Sequence, residues 1–322
     1  MDISNELAIG IDIGGTNTKY GVVNHRGEIL QKGDIRTDAY QLVDDFIVGL
    51  YEVLEPVIKA YDTHTFQGIG IGAPNGNFYN GTIEYAPNLK WKGIIPLAKL
   101  ISDKFHLPAA LTNDANAAAV GEMTYGAARG MKDFIMITLG TGVGSGIVAN
   151  GQLILGHDGF AGELGHTIIV PEGRLHEGTG MRGSLEVYAS ATGVARTAVE
   201  LLADHVGDKG LLGHYSVDQI DSKLVYECAM KNDGIAKEVY QFTGDILGKA
   251  LANFIMFSSP EAIILFGGLT NAGNLILDPT REAMEKNLLP IFQNKVKLIL
   301  SELQESDAAI LGASALVWDI KV

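Results

Sequence analysis

The stretch "LAIGIDIGGTNTKYGVVNHRGEIL", residues 7–30, decides the fold. It reads as a strand, a glycine turn at Gly14-Gly15, a second strand, a polar turn at Asn24 to Gly27 and a third strand. The same grammar returns in "FIMITLGTGVGSGIVANGQLIL", residues 134–155. Gly15-Thr16 matches Gly140-Thr141, Gly21 matches Gly146 and Val23 matches Val148, each pair 125 residues apart. Self-similarity at one fixed offset is the mark of a duplication. Two repeats of strand, Gly-Thr turn, strand, turn, strand imply two related α/β lobes, each presenting a glycine hairpin to a shared cleft.

The rest of the chain fits that frame. Leu42, Val43, Phe46, Leu50, Val53, Leu54 and Val57 recur at helical spacing, and "GIGIGAP" ends another strand. Asp233 to Phe257 carries Ile235, Val239, Phe242, Ile246, Leu247, Leu251, Phe254 and Ile255, a long amphipathic helix stopping before Pro260. "AIILFGGLTNAG" gives a strand, a Gly267-Gly268 turn and a helix, and "AAILGASALVWDI" closes the chain as an apolar helix. The lobes are expected at residues 1–112 plus 309–322 and at 113–308, with short hinge crossings near 110–115 and 305–312.

Composition narrows the function. Forty glycines in 322 residues, about 12% and nearly twice ordinary usage, cluster beside apolar runs rather than in linkers. A formal net charge of −14 leaves no basic stripe to track nucleic-acid phosphates, so no nucleic-acid partner is expected. No apolar run reaches the roughly 18 residues of a membrane span, so no membrane association is expected. The acidic N-terminus "MDISNELAIGIDIGG" does not resemble a signal peptide, and the single Cys228 excludes an internal disulfide; both fit the cytoplasm.

Glycine turns between strands let backbone N–H groups approach a polyphosphate. Gly14, Gly15, Thr16 and Asn17 in the first hairpin, Gly140, Thr141 and Gly142 in the second, and Gly267-Gly268 are the candidate nucleotide cradle; the alternative is hairpins with no ligand. A dinucleotide fingerprint is excluded by context, since Gly68, Gly70 and Ala73 lead into Pro74-Asn75-Gly76 rather than a helix. Asp12, at the end of the first strand, would crowd incoming phosphates unless it held Mg²⁺, through water, or else it is a turn-forming acid. Lys19 touches a phosphate or is simply solvated.

In "LTNDANAAAVGE", residues 111–122, Asn113 or Asp114 is placed to cap a helix. A preceding strand and a second polar cluster, Glu163 and His166 in "AGELGH", point to another role for Asp114. Phosphoryl transfer needs one carboxylate to accept the proton of the attacking hydroxyl while polar neighbours fix that hydroxyl in line. Glu163 and His166, three apart, would share a helix face and serve hydroxyl recognition or stand as ordinary polar residues. Glu186 begins another helix.

Taken together, "DIGGTNTKYG", "APNLKW", "NDANAAAVGE", "LGTGVGSGIVANGQLILG", "AGELGH" and "SLEVYAS" resemble the ROK family (repressor, open reading frame, kinase), sugar kinases of the actin-like ATPase superfamily with a two-lobed, ribonuclease H-like fold around a central cleft. The resemblance implies ATP-dependent phosphorylation of a hexose, glucose first, at the 6-hydroxyl. It makes Asp114 the general base and Asn88, Asn113, Glu163, His166 and Glu186 sugar contacts, with ATP and Mg²⁺ required and a homodimer expected. Kinases for fructose, mannose or an N-acetylhexosamine, and a non-catalytic sugar-sensing regulator, stay open. Two departures stand out. Glu177, Thr179 and Ser184 occupy the three cysteine positions of the family's zinc motif, so zinc is not expected, and Asn75 stands where relatives generally have glycine. The regulatory branch carries a winged helix before the first hairpin; here that hairpin opens near residue 8.

Overall fold

Residues 5–61 and 63–318 are described in a computed structural model. The opening stretch forms β1 (Glu6–Ile13), β2 (Asn17–Asn24) and β3 (Ile29–Arg36), followed by α1 (Val43–Ala60) and β4 (Thr65–Gly72). Short strands β5 (Gly76–Asn77), β6 (Thr82–Glu84) and β7 (Ile94–Ile95) precede α2 (Leu97–Phe105), β8 (Ala109–Thr112) and α3 (Asp114–Tyr125). The second repeat gives β9 (Phe134–Leu139), β10 (Val143–Ala149) and β11 (Gln152–Leu153). Then come α4 (Glu186–Ala189), α5 (Ala191–Asp204), α6 (Ser222–Met230), α7 (Gly234–Ser258), β12 (Ala262–Phe266), α8 (Asn274–Lys286), β13 (Lys297–Leu300) and α9 (Glu305–Ala315).

The duplication is written in the sheets. One runs β3-β2-β1-β4-β8 and the other β11-β10-β9-β12-β13. In each, the first strand of the repeat pairs parallel with a later strand: Gly10 sits beside Gly70 in β4, and Ile137 beside Leu265 in β12. The central strand β1 is buried along almost its whole length, as expected of a parallel strand covered on both faces.

Contacts divide the chain into residues 1–131, 146–162 and 302–322 in one compact unit, and 132–145 and 163–301 in the other. In this division α3, which packs along α9, falls with the first sheet. The core of the first unit gathers Ile9 and Ile11 of β1, Ile69 and Ile71 of β4, Phe46 and Leu50 of α1 and Trp91 of the loop before β7. Gly10 and Gly70 present bare backbone to α9, where an added Cβ would run into the carbonyls of Ile310 and Ala313. That close approach explains glycine in the middle of two buried strands, where it otherwise weakens a sheet. In α3, Ala115 to Glu122 are all buried, so the alanine run serves packing on every side rather than one amphipathic face. Among the described residues no helix is long and apolar enough to cross a membrane.

Candidate active site

In the first unit the polar groups collect at the carboxyl ends of parallel strands. Asp12 of β1 lies beside Gly72 of β4, and Gly72 beside Thr112 of β8, two residues before Asp114. Asn113 is the helix cap: its Oδ1 accepts from the Asn116 N–H at 2.7 Å. That frees Asp114 from capping. Its Oδ1 accepts the adjacent Ala115 N–H at 2.8 Å, Asp114's own backbone N–H also faces the carboxylate, and no side-chain donor reaches it among the described residues. Asp114 retains exposed surface, yet the surrounding protein desolvates the carboxylate and raises its pKa, with the Ala115 N–H working in the opposite direction.

Asp12 is tuned the same way. Burial, and secondarily the charge of Asp114, push its carboxyl up to about 6, while Lys19, its cross-strand neighbour on β2, pulls it down. Two carboxylates this close, with one lysine to offset them, form a locus that favours a cation. Among the described residues no three His, Cys, Asp or Glu side chains form a metal cage. The donors therefore fit an ion such as Mg²⁺, which takes one or two carboxylates and leaves its other positions to water and phosphate.

The glycine turn Gly14–Thr16 is closed by the Gly14 N–H donating to the Asn17 carbonyl at 3.0 Å. The backbone of Asn88 rests on Gly15. Burial alternates along that loop: Leu89 and Trp91 are anchored in the core, and Trp91 donates to the Tyr40 carbonyl at 3.3 Å, leaving Asn88 exposed. Asn75 has φ of +52°, and its Nδ2 donates to the Glu84 carbonyl at 2.9 Å. Asparagine tolerates the left-handed region better than other side-chain-bearing residues, which explains how it can stand at a glycine position.

In the second unit the turn Gly140–Gly142 is closed by the Gly140 N–H donating to the Gly142 carbonyl at 3.0 Å, and the Ala191 N–H at the start of α5 donates to the Gly140 carbonyl at 2.8 Å. Gly267, at φ of +103°, lies against the backbone of Leu139 at the end of β9, and Gly268 opens a 3₁₀ turn. Thr141 and the Gly267-Gly268 turn thus both flank the end of β9.

Glu163 and His166 do not lie on an α-helix. They bracket a single 3₁₀ turn, Leu164–His166, with His166 Nε2 3.9 Å from Glu163 Oε2. Three-residue periodicity eclipses positions i and i+3, so the shared face survives the change of helix type. The turn docks on β10: the Leu164 N–H donates to Ser145 Oγ at 3.1 Å, and Gly165 lies against the Val143 carbonyl. Glu186 reaches the same residue from the first position of α4, its Oε2 accepting the Val143 N–H at 2.7 Å. Gly142 makes this possible, because a Cβ there would occupy the place of the Glu186 carboxylate. Val143 therefore brings Glu163, His166 and Glu186 to one spot.

One residue of this cluster carries no motif that singled it out. His176 contacts Glu186 Oε1 through Nε2 at 2.6 Å, and its ring meets that of His166 edge-on at 5.8 Å between centroids. The three positions that would carry zinc thiolates hold Glu177, Thr179 and Ser184 instead. Thr179 Oγ1 is engaged with His176 Nδ1 at 3.0 Å, Ser184 Oγ and His166 Nδ1 are buried without partners, and the chain's one cysteine, Cys228, lies in α6. The thiolates that a structural zinc centre of this family would use are therefore replaced by a carboxylate and two hydroxyls.

Duplicated sheets of this order, each with a glycine turn after its first strand, define the ribonuclease H-like fold of the actin-like ATPases. The ROK family matches residues 8–320, and the chain belongs to that family. It is 35% identical to the glucokinase of Halalkalibacterium halodurans over 98% of this chain and 96% of that one. A ROK family glucokinase from Streptomyces griseus, solved in complex with glucose and AMPPNP, superimposes with a TM-score of 0.76 at 33% identity, over 96% of this chain and 98% of that one. The xylose repressor of Caldicellulosiruptor bescii is 29% identical over 96% of this chain and 77% of its own length.

Proposed function

We propose that the chain is a cytoplasmic, homodimeric kinase that transfers the γ-phosphoryl group of ATP to the 6-hydroxyl of a hexose, glucose foremost. The observation that carries this reading is the state of Asp114: its neighbour Asn113 does the capping, no side chain among the described residues donates to it, and desolvation raises its proton affinity. A carboxylate so placed is suited to take a proton in the transition state.

In the proposed reaction Asp114 accepts the proton of the 6-hydroxyl as its oxygen bonds to the γ-phosphorus, and the bond to ADP breaks on the opposite side. Asn88, Asn113, Glu163, His166 and Glu186 are the proposed contacts to the remaining hydroxyls. Backbone N–H groups of the Gly14–Asn17 and Gly140–Gly142 turns, with Lys19 and the Gly267-Gly268 turn, receive phosphate oxygens. Asp12 would hold Mg²⁺, which when bound offsets the charge of the phosphates.

Glucokinase relatives across nearly the whole chain support this reading, and a repressor relative favours a second: a regulator that binds sugar without turning it over. A coupled ADP-release assay over glucose, fructose, mannose and N-acetylhexosamines separates the two. Sugar-dependent ADP release is expected, strongest with glucose. Sugar binding by calorimetry with no ADP release from any sugar would install the regulator reading instead.

A further inference from the structure

We infer that His176 is a positioning residue that aims the Glu186 carboxylate at the sugar, and this rests on the reading of Glu186 as a sugar contact. The direction of each hydrogen bond fixes its state. The Thr179 backbone N–H lies 3.1 Å from His176 Nδ1, and an amide N–H can only donate, so Nδ1 is the acceptor and carries no proton. The proton of the neutral ring then sits on Nε2, which donates to Glu186 Oε1 at 2.6 Å. The Thr179 hydroxyl, 3.0 Å from the same Nδ1, adds a second donor.

The other carboxylate oxygen is held as firmly. Glu186 Oε2 accepts the Val143 N–H at 2.7 Å, so both oxygens are fixed, one by a strand backbone and one by an imidazole. Each oxygen keeps acceptor capacity for a ligand hydroxyl. The pair is partly accessible, His176 at 21% and Glu186 at 18% of side-chain surface, so it is reachable rather than sealed in the core.

The segment carrying His176 is built to hold it. The His176 N–H donates to the Met181 carbonyl at 2.8 Å and the Gly180 N–H to the His176 carbonyl at 2.8 Å, while Leu175 bridges Arg182 across the hairpin. At its base the buried Arg174 donates to Glu200 Oε2 at 2.5 Å and to the Val187 carbonyl at 3.2 Å, tying the hairpin to α4 and α5. This hairpin contains Glu177 and Thr179, two of the positions that lack thiolates. A chain of hydrogen bonds from Thr179 through His176 to Glu186 thus gives this loop a cross-link made of its own side chains.

The test uses the full-length protein, glucose and ATP. His176→Phe keeps a planar aromatic ring and removes both nitrogens; His176→Gln restores an N–H donor at similar reach. We expect His176→Phe to weaken glucose binding and raise the glucose KM roughly tenfold to a hundredfold, the loss of one hydrogen bond to a charged group, with the ATP KM within about twofold. His176→Gln is expected to recover most of that loss. Glu186→Ala should weaken glucose binding by itself, and adding His176→Phe to it should cost nothing more. Additive losses in the double variant, or a His176→Phe defect that falls equally on both substrates and is not rescued by glutamine, would overturn the positioning role while leaving Glu186 a sugar contact. An unchanged glucose affinity in Glu186→Ala would instead remove the reading of Glu186, and with it the inference. Thermal unfolding of each variant, together with the glutamine variant, keeps the test decisive even if phenylalanine destabilises the hairpin.

Discussion

The two glycine hairpins share a frame and differ in what they bring to it. Each turn is closed by a glycine N–H donating at 3.0 Å, and each hairpin's first strand pairs parallel with a later one. Beyond the turns they diverge. The position of Asp12 in the first repeat is taken by Ile137 in the second, so the first hairpin carries its own charge and the second has none. The second hairpin acquires a carboxylate from outside, Glu186 of α4, held on the N–H of Val143. The third strand runs eight residues in the first repeat and two in the second. Duplication preserved the backbone turn proposed to receive phosphates, while the charge proposed for catalysis and the groups proposed to contact sugar were distributed unequally around it.

That asymmetry makes its largest prediction at Asp114. Replacing it with alanine should lower kcat by about 10²–10⁴-fold, the range of a general base, and leave glucose affinity by calorimetry within a few-fold. A turnover near that of the parent protein would mean that the charge gathered beside the first hairpin does not do the proton transfer.

Asp12→Asn comes next. Turnover should fall roughly 10–100-fold, comparable to losses on disturbing metal-site support. In the absence of Mg²⁺ and nucleotide the same variant should melt at a higher temperature, because it removes a desolvated carboxylate that faces Asp114. The opposed effects on activity and stability would mark the strain as functional. Ile137 already stands neutral at the matching position, so Ile137→Val, a small core change, should move stability alone, by about 0.5–1.5 kcal/mol.

The turns themselves can be compared by one methyl group. At Gly15 an added Cβ would lie 2.6 Å from the Asn88 carbonyl oxygen, whereas at Gly140 it meets nothing within 4 Å. Gly15→Ala should therefore displace the Asn88 loop, with a stability loss of about 1–3 kcal/mol in denaturant titrations and a raised glucose KM. Gly140→Ala should leave stability within about 0.5 kcal/mol and act, if anywhere, on the ATP KM. Equal losses from the two changes would show that the turns are not distinguished by what rests on them.

Much of this frame was legible from residues alone, because strand alternation, glycine turns and helical spacing are local properties. The fixed offset between repeats carried through to matched sheet orders. The helix from Asp233 also appeared as read, with Asp233 as its cap, accepting the Ala236 N–H at 2.8 Å. What stayed hidden depended on tertiary neighbours. The stretch from Pro171 to Ser184 has no hydrophobic period, so nothing marked His176 as the partner of a glutamate ten residues on. The one-turn 3₁₀ segment at Glu163 is too short to show periodicity at all. Asn75 looked anomalous until its positive φ was known.

The smallest effect concerns the outer turns, where two asparagines sit in nearly matching places. Asn150 precedes Gly151 in a two-residue loop between β10 and β11, with φ of +52° and +76°, the left-handed pair that matches strand twist in tight hairpins. Glycine reaches that left-handed region without strain. Asn24 works through its side chain: Oδ1 accepts the N–H groups of Arg26 at 2.9 Å and Glu28 at 3.0 Å, and Nδ2 donates to Glu28 Oε2 at 2.7 Å. Glycine cannot replace those bonds. Asn24→Gly should then cost about 1 kcal/mol of unfolding free energy, read from the denaturation midpoint, with kcat unchanged. An unchanged midpoint would mean that the first outer turn is not pinned by this side chain.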